Sequence, residues 1–185
     1  MFKIKVVGGC IRGLVLESGK NESLRPTKDR IKESLFDILN FNIQDKVFLD
    51  LFGGTGQIGI EAFSRGAREV IIVEMKKSNA NIIKNNLSKI KNENNIKFFQ
   101  CDALAFLRCN HFDIDIAFID PPYSQINLLE NSLDMTAKLI KNDGIIITET
   151  LSSQSVQNKV RDFSLQKRYN YGNISLNLYK KQEIC

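Results

Sequence analysis

The chain has little of what a metal centre, a disulfide scaffold or a membrane protein is built from. Only four of its 185 residues are cysteine (Cys10, Cys101, Cys109 and Cys185); they lie far apart, with no Cys-x-x-Cys, and His111 is the single histidine. A zinc cluster and a disulfide framework are therefore not expected, and a reducing cytoplasm is the compartment that fits. Uninterrupted apolar runs are only a few residues long, as at 70–73 and 144–147. None approaches the roughly 20 apolar residues of a membrane span. The opening Met1-Phe2-Lys3-Ile4-Lys5-Val6 alternates charge with hydrophobe, which is not the pattern of a signal peptide. No long linker, internal repeat or low-complexity tract interrupts the chain. What remains, 43% apolar and 25% charged residues, is the composition of one ordinary globular domain with room for a small appendage.

The net charge of +5 is unevenly placed. Residues 1–40 carry eight Lys and Arg against five acids and residues 155–185 carry six against two, whereas the middle holds twelve against fourteen. Basic flanks around a near-neutral centre suit a phosphate-backbone ligand, although solvation alone also produces patterns this mild.

Periodicity gives an alternating order of elements. Residues 2–7 and 13–17 read as short strands around Gly8-Gly9, a β-ribbon. Pro26-Thr27 opens a helix running to about 41, with Ile31, Leu35, Ile38 and Leu39 on one face. Strands are expected at 46–51, 69–74, 96–100, 114–119 and 144–149, and helices at 58–65, 76–91, 102–108, 127–140 and, weakly patterned, 153–161. Gly66 ends the helix at 58–65. Residues 163–170 and 174–180 form an antiparallel hairpin around Gly172-Asn173. Repeated β–α units imply an α/β fold: a doubly wound, mostly parallel, seven-stranded Rossmann-like sheet closed by the hairpin. Residues 1–42 read as a β-ribbon and helix extension, and 43–185 as the main domain, the whole being one compact unit.

Asp50-Leu51-Phe52-Gly53-Gly54-Thr55-Gly56-Gln57-Ile58-Gly59 leaves a strand and opens a helix. Gly54, Gly56 and Gly59 satisfy G-x-G-x-x-G, and Glu74 lies twenty residues after Gly54, as in a dinucleotide fingerprint. Asp50 argues against a dinucleotide, because a carboxylate beside the loop repels pyrophosphate and attracts a cation. S-adenosylmethionine is cationic and carries no phosphate. On this reading Asp50 meets its amino-acid end, Glu74 accepts from its ribose hydroxyls, and Asp102 accepts from its adenine amino group. Phe52 and Ala103 give apolar contact. Asp50, Glu74, Asp102 and Asp120 then end four successive strands, where an open α/β sheet binds its ligands. Each acid taken singly reads as well as a cap or turn residue.

Asp120-Pro121-Pro122-Tyr123 follows the apolar strand 114–119. Two consecutive prolines have no N–H and fix φ, so the chain leaves the sheet as a stiff, extended corner. A carboxylate before it and an aromatic ring after it suit a planar, amino-bearing substrate such as a nucleobase. Asp120 and the Pro121 carbonyl are the acceptors for the amine, Pro122 stiffens the corner, and Tyr123 stacks on an extruded base.

These motifs resemble those of class I S-adenosylmethionine-dependent methyltransferases acting on exocyclic base amines. Val7-Gly8-Gly9-x-x-Arg12-Gly13 and Leu24-Arg25-Pro26-Thr27-x-Asp29-Arg30-Ile31-Lys32-Glu33-Ser34-Leu35-Phe36 further resemble the start of the RsmD family, the 16S rRNA guanine-N2 methyltransferases. The resemblance covers essentially the whole chain. It implies S-adenosyl-L-methionine as methyl donor, held by Asp50, Phe52, Gly53, Gly54, Thr55, Gly56, Glu74, Met75, Asp102, Ala103 and Thr27. It implies 16S rRNA, in the small ribosomal subunit or a late assembly intermediate, as partner, with guanine 966 the family's target. Lys3, Lys5, Arg12, Arg25, Lys28 and Arg30 are the candidate RNA contacts. The expectation is a cytoplasmic monomer with no membrane association and no metal. Rival readings are an adenine-N6 methyltransferase, for which the chain has no room for a large target-recognition region, an NAD-dependent oxidoreductase, which has no use for the proline corner, and a non-catalytic RNA-binding assembly factor.

Overall fold

The computed structural model describes residues 4–18, 26–91, 93–109 and 111–181. An antiparallel ribbon of β1 (Ile4–Lys5) and β2 (Val15–Leu16) precedes α1 (Pro26–Leu39) and a 3-10 turn at Asn40–Ile43. Then come β3 (Val47–Asp50), α2 (Gln57–Ser64), β4 (Glu69–Val73), α3 (Lys77–Leu87), β5 (Ile96–Phe99), α4 (Ala103–Cys109), β6 (Ile114–Ile119), α5 (Ile126–Leu139) and β7 (Ile140–Leu151). The chain closes with β8 (Lys159–Val160), β9 (Phe163–Tyr171) and β10 (Ile174–Lys181).

Strands β3 to β7 pair in parallel and β8 to β10 add antiparallel, in the order β5-β4-β3-β6-β7-β10-β9-β8. The expected seven strands are all present, and β8 is a two-residue addition at the edge. The order reverses between β3 and β6, and such a switch point is where an open α/β sheet leaves its crevice.

β3 and β6 are buried along their whole length, as befits central parallel strands covered on both faces. Alternate residues feed two cores. Phe48, Val70, Ile72, Phe118, Ile145 and Ile147 meet α1, α2, α3 and the ribbon, while Leu49, Ile71, Val73, Ala117, Ile119 and Ile146 meet α4 and α5. On α1 the buried face is Ile31, Leu35, Phe36 and Leu39, with Ile38 only half-buried.

The ribbon is fastened to the helices by buried polar groups. Glu61 of α2 is fully buried and accepts from Val7 N–H at 2.9 Å, Gly8 N–H at 2.8 Å and Arg65 Nε at 2.9 Å. Lys32, also buried, lies 3.8 Å from Glu61 and donates to the Lys5 carbonyl at 2.6 Å. Gly9 has φ 76°, and a Cβ there would collide with the Ser64 carbonyl. Asn86 of α3, fully buried, accepts from Glu17 N–H at 2.7 Å and donates to the Glu17 and Thr55 carbonyls at 3.2 and 2.9 Å.

Two expectations are corrected. The helix over 153–161 does not form; its place is taken by a turn and β8. Gln154 accepts from Leu151 N–H through its side chain, and Arg168 donates to the carbonyls of Leu151, Ser152 and Gln154. Of the carbonyls a helix over 153–161 would use, that of Gln154 accepts from Arg168 and that of Gln157 from the Tyr179 hydroxyl, both from the closing hairpin. The strand expected at 144–149 is longer at both ends, running from Ile140 to Leu151 with a register shift against β6.

Candidate active site

A cavity of about 380 Å³ opens at the carboxyl ends of the parallel strands. It lies within the size range of small-molecule sites. Its lining includes Phe52 and Gly54 after β3, Glu74 and Met75 after β4, Asp102 and Ala103 after β5, Asp120 to Tyr123 after β6, and Glu149 near the end of β7.

The glycine loop has the geometry its residue types demand. Gly54 and Gly56 have φ 55° and 78°, where side-chain-bearing residues are strained. Gly59 brings α2 onto β4: a Cβ there would come within 2.6 Å of Ile72. Gly53 N–H donates to the Val73 carbonyl at 2.8 Å, and Gly56 N–H to the Gly53 carbonyl at 2.6 Å. The Thr55 hydroxyl is buried without a hydrogen-bond partner among the described residues.

Glu74 accepts from Gly54 N–H at 3.0 Å, Lys76 N–H at 2.7 Å and Asn79 Nδ2 at 3.1 Å, which pins its carboxylate to the lip of the loop. Asp102 caps α4, accepting from Ala105 N–H at 2.9 Å through Oδ1. It still lines the cavity, so capping and lining coexist in one side chain. Burial, then Asp102 and Cys109 nearby, push the Cys101 thiol up, leaving it a neutral part of the wall.

Asp50 is placed differently from its neighbours in the acid row. It is 1% exposed, lies outside the cavity lining, and accepts from Gly59 N–H at 3.0 Å beneath the loop. Burial first, with Glu74 adding to it, pushes its carboxyl up to about 7 against the opposing pull of the Gly59 and Phe52 N–H groups. Gly53, Thr55 and Gly56 likewise shape the loop from outside the lining.

The proline corner is held from below. Gln125 N–H donates to the Pro122 carbonyl at 2.8 Å, and Gln154 Nε2 to the Tyr123 carbonyl at 2.7 Å. Among the described residues no donor engages the Pro121 carbonyl. The Tyr123 hydroxyl donates to Glu149 at 2.6 Å. Asp120 is half-buried at the mouth of the corner.

Lys5, Arg12 and Arg30 are exposed. Lys3 and Arg25 lie outside the described residues, and Thr27 and Lys28 are described as backbone only, in the first turn of α1. Sequence reasoning missed Asn79, Gln125, Glu149, Gln154 and Arg168. Nothing in their local pattern marks them; Glu149 alone carried a signal, being one more acid at the end of one more strand.

The family model described as conserved hypothetical protein 95 matches residues 4–180. The chain belongs to that family. It is 32% identical over 183 residues to the ribosomal RNA small subunit methyltransferase D of Haemophilus influenzae, covering 96% of this chain and 94% of that relative. Among solved structures it resembles "Putative methyltransferase yhhF" from Escherichia coli, with a TM-score of 0.87, 27% identity and coverage of 98% and 99% of the two chains. The protein SMU.776, described as "a putative methyltransferase complexed with SAH", shares the fold at a TM-score of 0.66 and 16% identity, over 90% of this chain and 52% of that one. Among the described residues no helix is long and apolar enough to cross a membrane.

Proposed function

We propose that the chain transfers a methyl group from S-adenosylmethionine to the exocyclic N2 of a guanine in the ribosomal RNA of the small subunit. The observation that carries this reading is that Asp120 to Tyr123 and the Glu74 and Asp102 carboxylates open onto one cavity. Membership of a family with ribosomal RNA methyltransferases supports the same reaction.

The donor set fits the cofactor. Its lining joins carboxylates to apolar Leu51, Phe52 and Ala103, and it would reject a pyrophosphate. Glu74 would take the ribose hydroxyls, Asp102 the adenine amino group, and Phe52, Met75 and Ala103 the adenine faces. Thr27 and the backbone of Gly53, Gly54, Thr55 and Gly56 would meet the methionine end, with Asp50 acting through the loop it supports. When bound, S-adenosylmethionine supplies a methyl group on a positively charged sulfur.

The chain's own residues then raise the reactivity of a poor nucleophile. A guanine amine delocalises its lone pair into the ring. Asp120 and the Pro121 carbonyl accept its two hydrogens and favour a pyramidal nitrogen, while Tyr123 stacks on the extruded base. One amine proton leaves, to Asp120 or to water. Lys3, Lys5, Arg12, Arg25, Lys28 and Arg30 would hold the RNA backbone, with residues 1–42 as the RNA-facing extension of the main domain.

The test is transfer of labelled methyl to small ribosomal subunits from a strain lacking this chain, followed by mapping of the modified nucleotide. Asp120→Ala is expected to slow turnover about 100-fold or more while cofactor affinity holds. Near-normal turnover by that variant would remove the proposal, and label on an adenine would replace guanine as the substrate.

A further inference from the structure

The acid row has a fifth member that the reaction above leaves without a task. The recorded register pairs Ile119 of β6 with Thr148 of β7, so Asp120 and Glu149 come next on neighbouring strands. Glu149 is 9% exposed, lines the cavity beside the proline corner, and accepts the Tyr123 hydroxyl at 2.6 Å.

We propose that Glu149 is a positioning residue for methyl transfer: its carboxylate anchors the far end of the Tyr123 side chain and so holds in place the ring against which the target base stacks. This deepens the methyltransferase reading and rests on it.

Three observations carry the assignment. The Tyr123 bond ends on a buried carboxylate and is short, so it belongs to the stronger, charge-assisted class. Tyr123 is also gripped at its other end, by Gln154 on its carbonyl at 2.7 Å. Gln154 is itself locked, accepting from Leu151 N–H at 2.9 Å, while Arg168 crosses from β9 to hold the carbonyls of Leu151, Ser152 and Gln154. A ring tethered at hydroxyl and main chain has lost the rotations that would let it swing off a stacked base. Both tethers come from the end of β7 and the turn after it. The geometry of the corner is therefore set by an element that carries none of its residues.

The test compares Glu149→Ala, Glu149→Gln and Tyr123→Phe, alone and combined. Single-turnover transfer to unmodified small subunits is measured alongside cofactor Kd by calorimetry and amide hydrogen exchange at residues 123–125. Glutamine still accepts from a phenol, whereas alanine cannot. Glu149→Ala is expected to lower the transfer rate about tenfold or more and to speed exchange in the corner, with cofactor Kd within about twofold of the parent. Glu149→Gln should recover all but about threefold. Adding Glu149→Gln to Tyr123→Phe should cost nothing further, because the shared bond is already gone. Should Glu149→Ala fail to fold, the glutamine and phenylalanine comparison decides alone. A glutamine variant as slow as alanine, or losses that multiply in the combined variant, would overturn the assignment. A parent protein that binds the cofactor and methylates nothing would sink the methyltransferase reading instead, a separately visible outcome.

Discussion

Replacing Asp50 by asparagine isolates the electrostatics of the glycine loop. Burial pushes this carboxyl up to about 7 from an ordinary value of 3.8, with Glu74 nearby contributing. A carboxyl whose native pKa lies above its unfolded one gives its full stabilisation below the unfolded value. It loses that stabilisation as pH rises through the native value. The gap of about three pH units is worth about 4 kcal/mol at about 1.36 kcal/mol per unit. Between about pH 4 and pH 7, then, the parent weakens by up to that amount on account of Asp50. Asparagine keeps an oxygen for Gly59 N–H and cannot ionise. Urea unfolding of both proteins, at intervals from pH 4 to pH 8, should show the variant gaining steadily on the parent. At an m-value of about 2 kcal/mol/M the midpoints should diverge by about 2 M over that range. Asp115 moves absolute stability the other way at acid pH, because its burial is outweighed by bonds from Val47 N–H and Lys141. It is common to both proteins and cancels in the difference. A midpoint difference that stays flat from pH 4 to pH 8 would refute the reasoning.

Two further outcomes follow from the ribbon. Glu61→Ala removes the carboxylate facing buried Lys32 and strands the N–H groups of Val7 and Gly8; a loss of about 3 kcal/mol is expected, read as a fall in Tm of about 10 °C. Lys5→Ala with Arg12→Ala should weaken RNA binding and lower the slope of log affinity against log salt by about 2, measured by filter binding over a salt series; an unchanged slope would show that the ribbon does not face RNA.

How much of this was legible in the sequence depended on the range of the interactions concerned. The strand at 114–119 and the proline corner were readable because an apolar run and two fixed φ angles are local facts. The helix from Pro26 was readable for the same reason, although the side-chain packing chose Phe36 over Ile38 for the buried face. Residues 153–161 were misread because side chains from other strands, Arg168 and Tyr179, tie down the Gln154 and Gln157 carbonyls in a turn. Asp50 shows a subtler limit. Sequence order gives a strand's end, yet not the direction of its last side chain, and this one turns under the loop to Gly59. Gln154 and Glu149 acquire meaning only once the sheet brings Tyr123 beside them.

Asn86 has a consequence for how the chain can be cut. With one amide it grips the exit of the N-terminal ribbon at Glu17 and the floor of the glycine loop at Thr55. What reads along the sequence as an extension acts therefore as a strut. Trimming the first eighteen residues would strip this amide of its outer partners and loosen the seat from which the loop is hung.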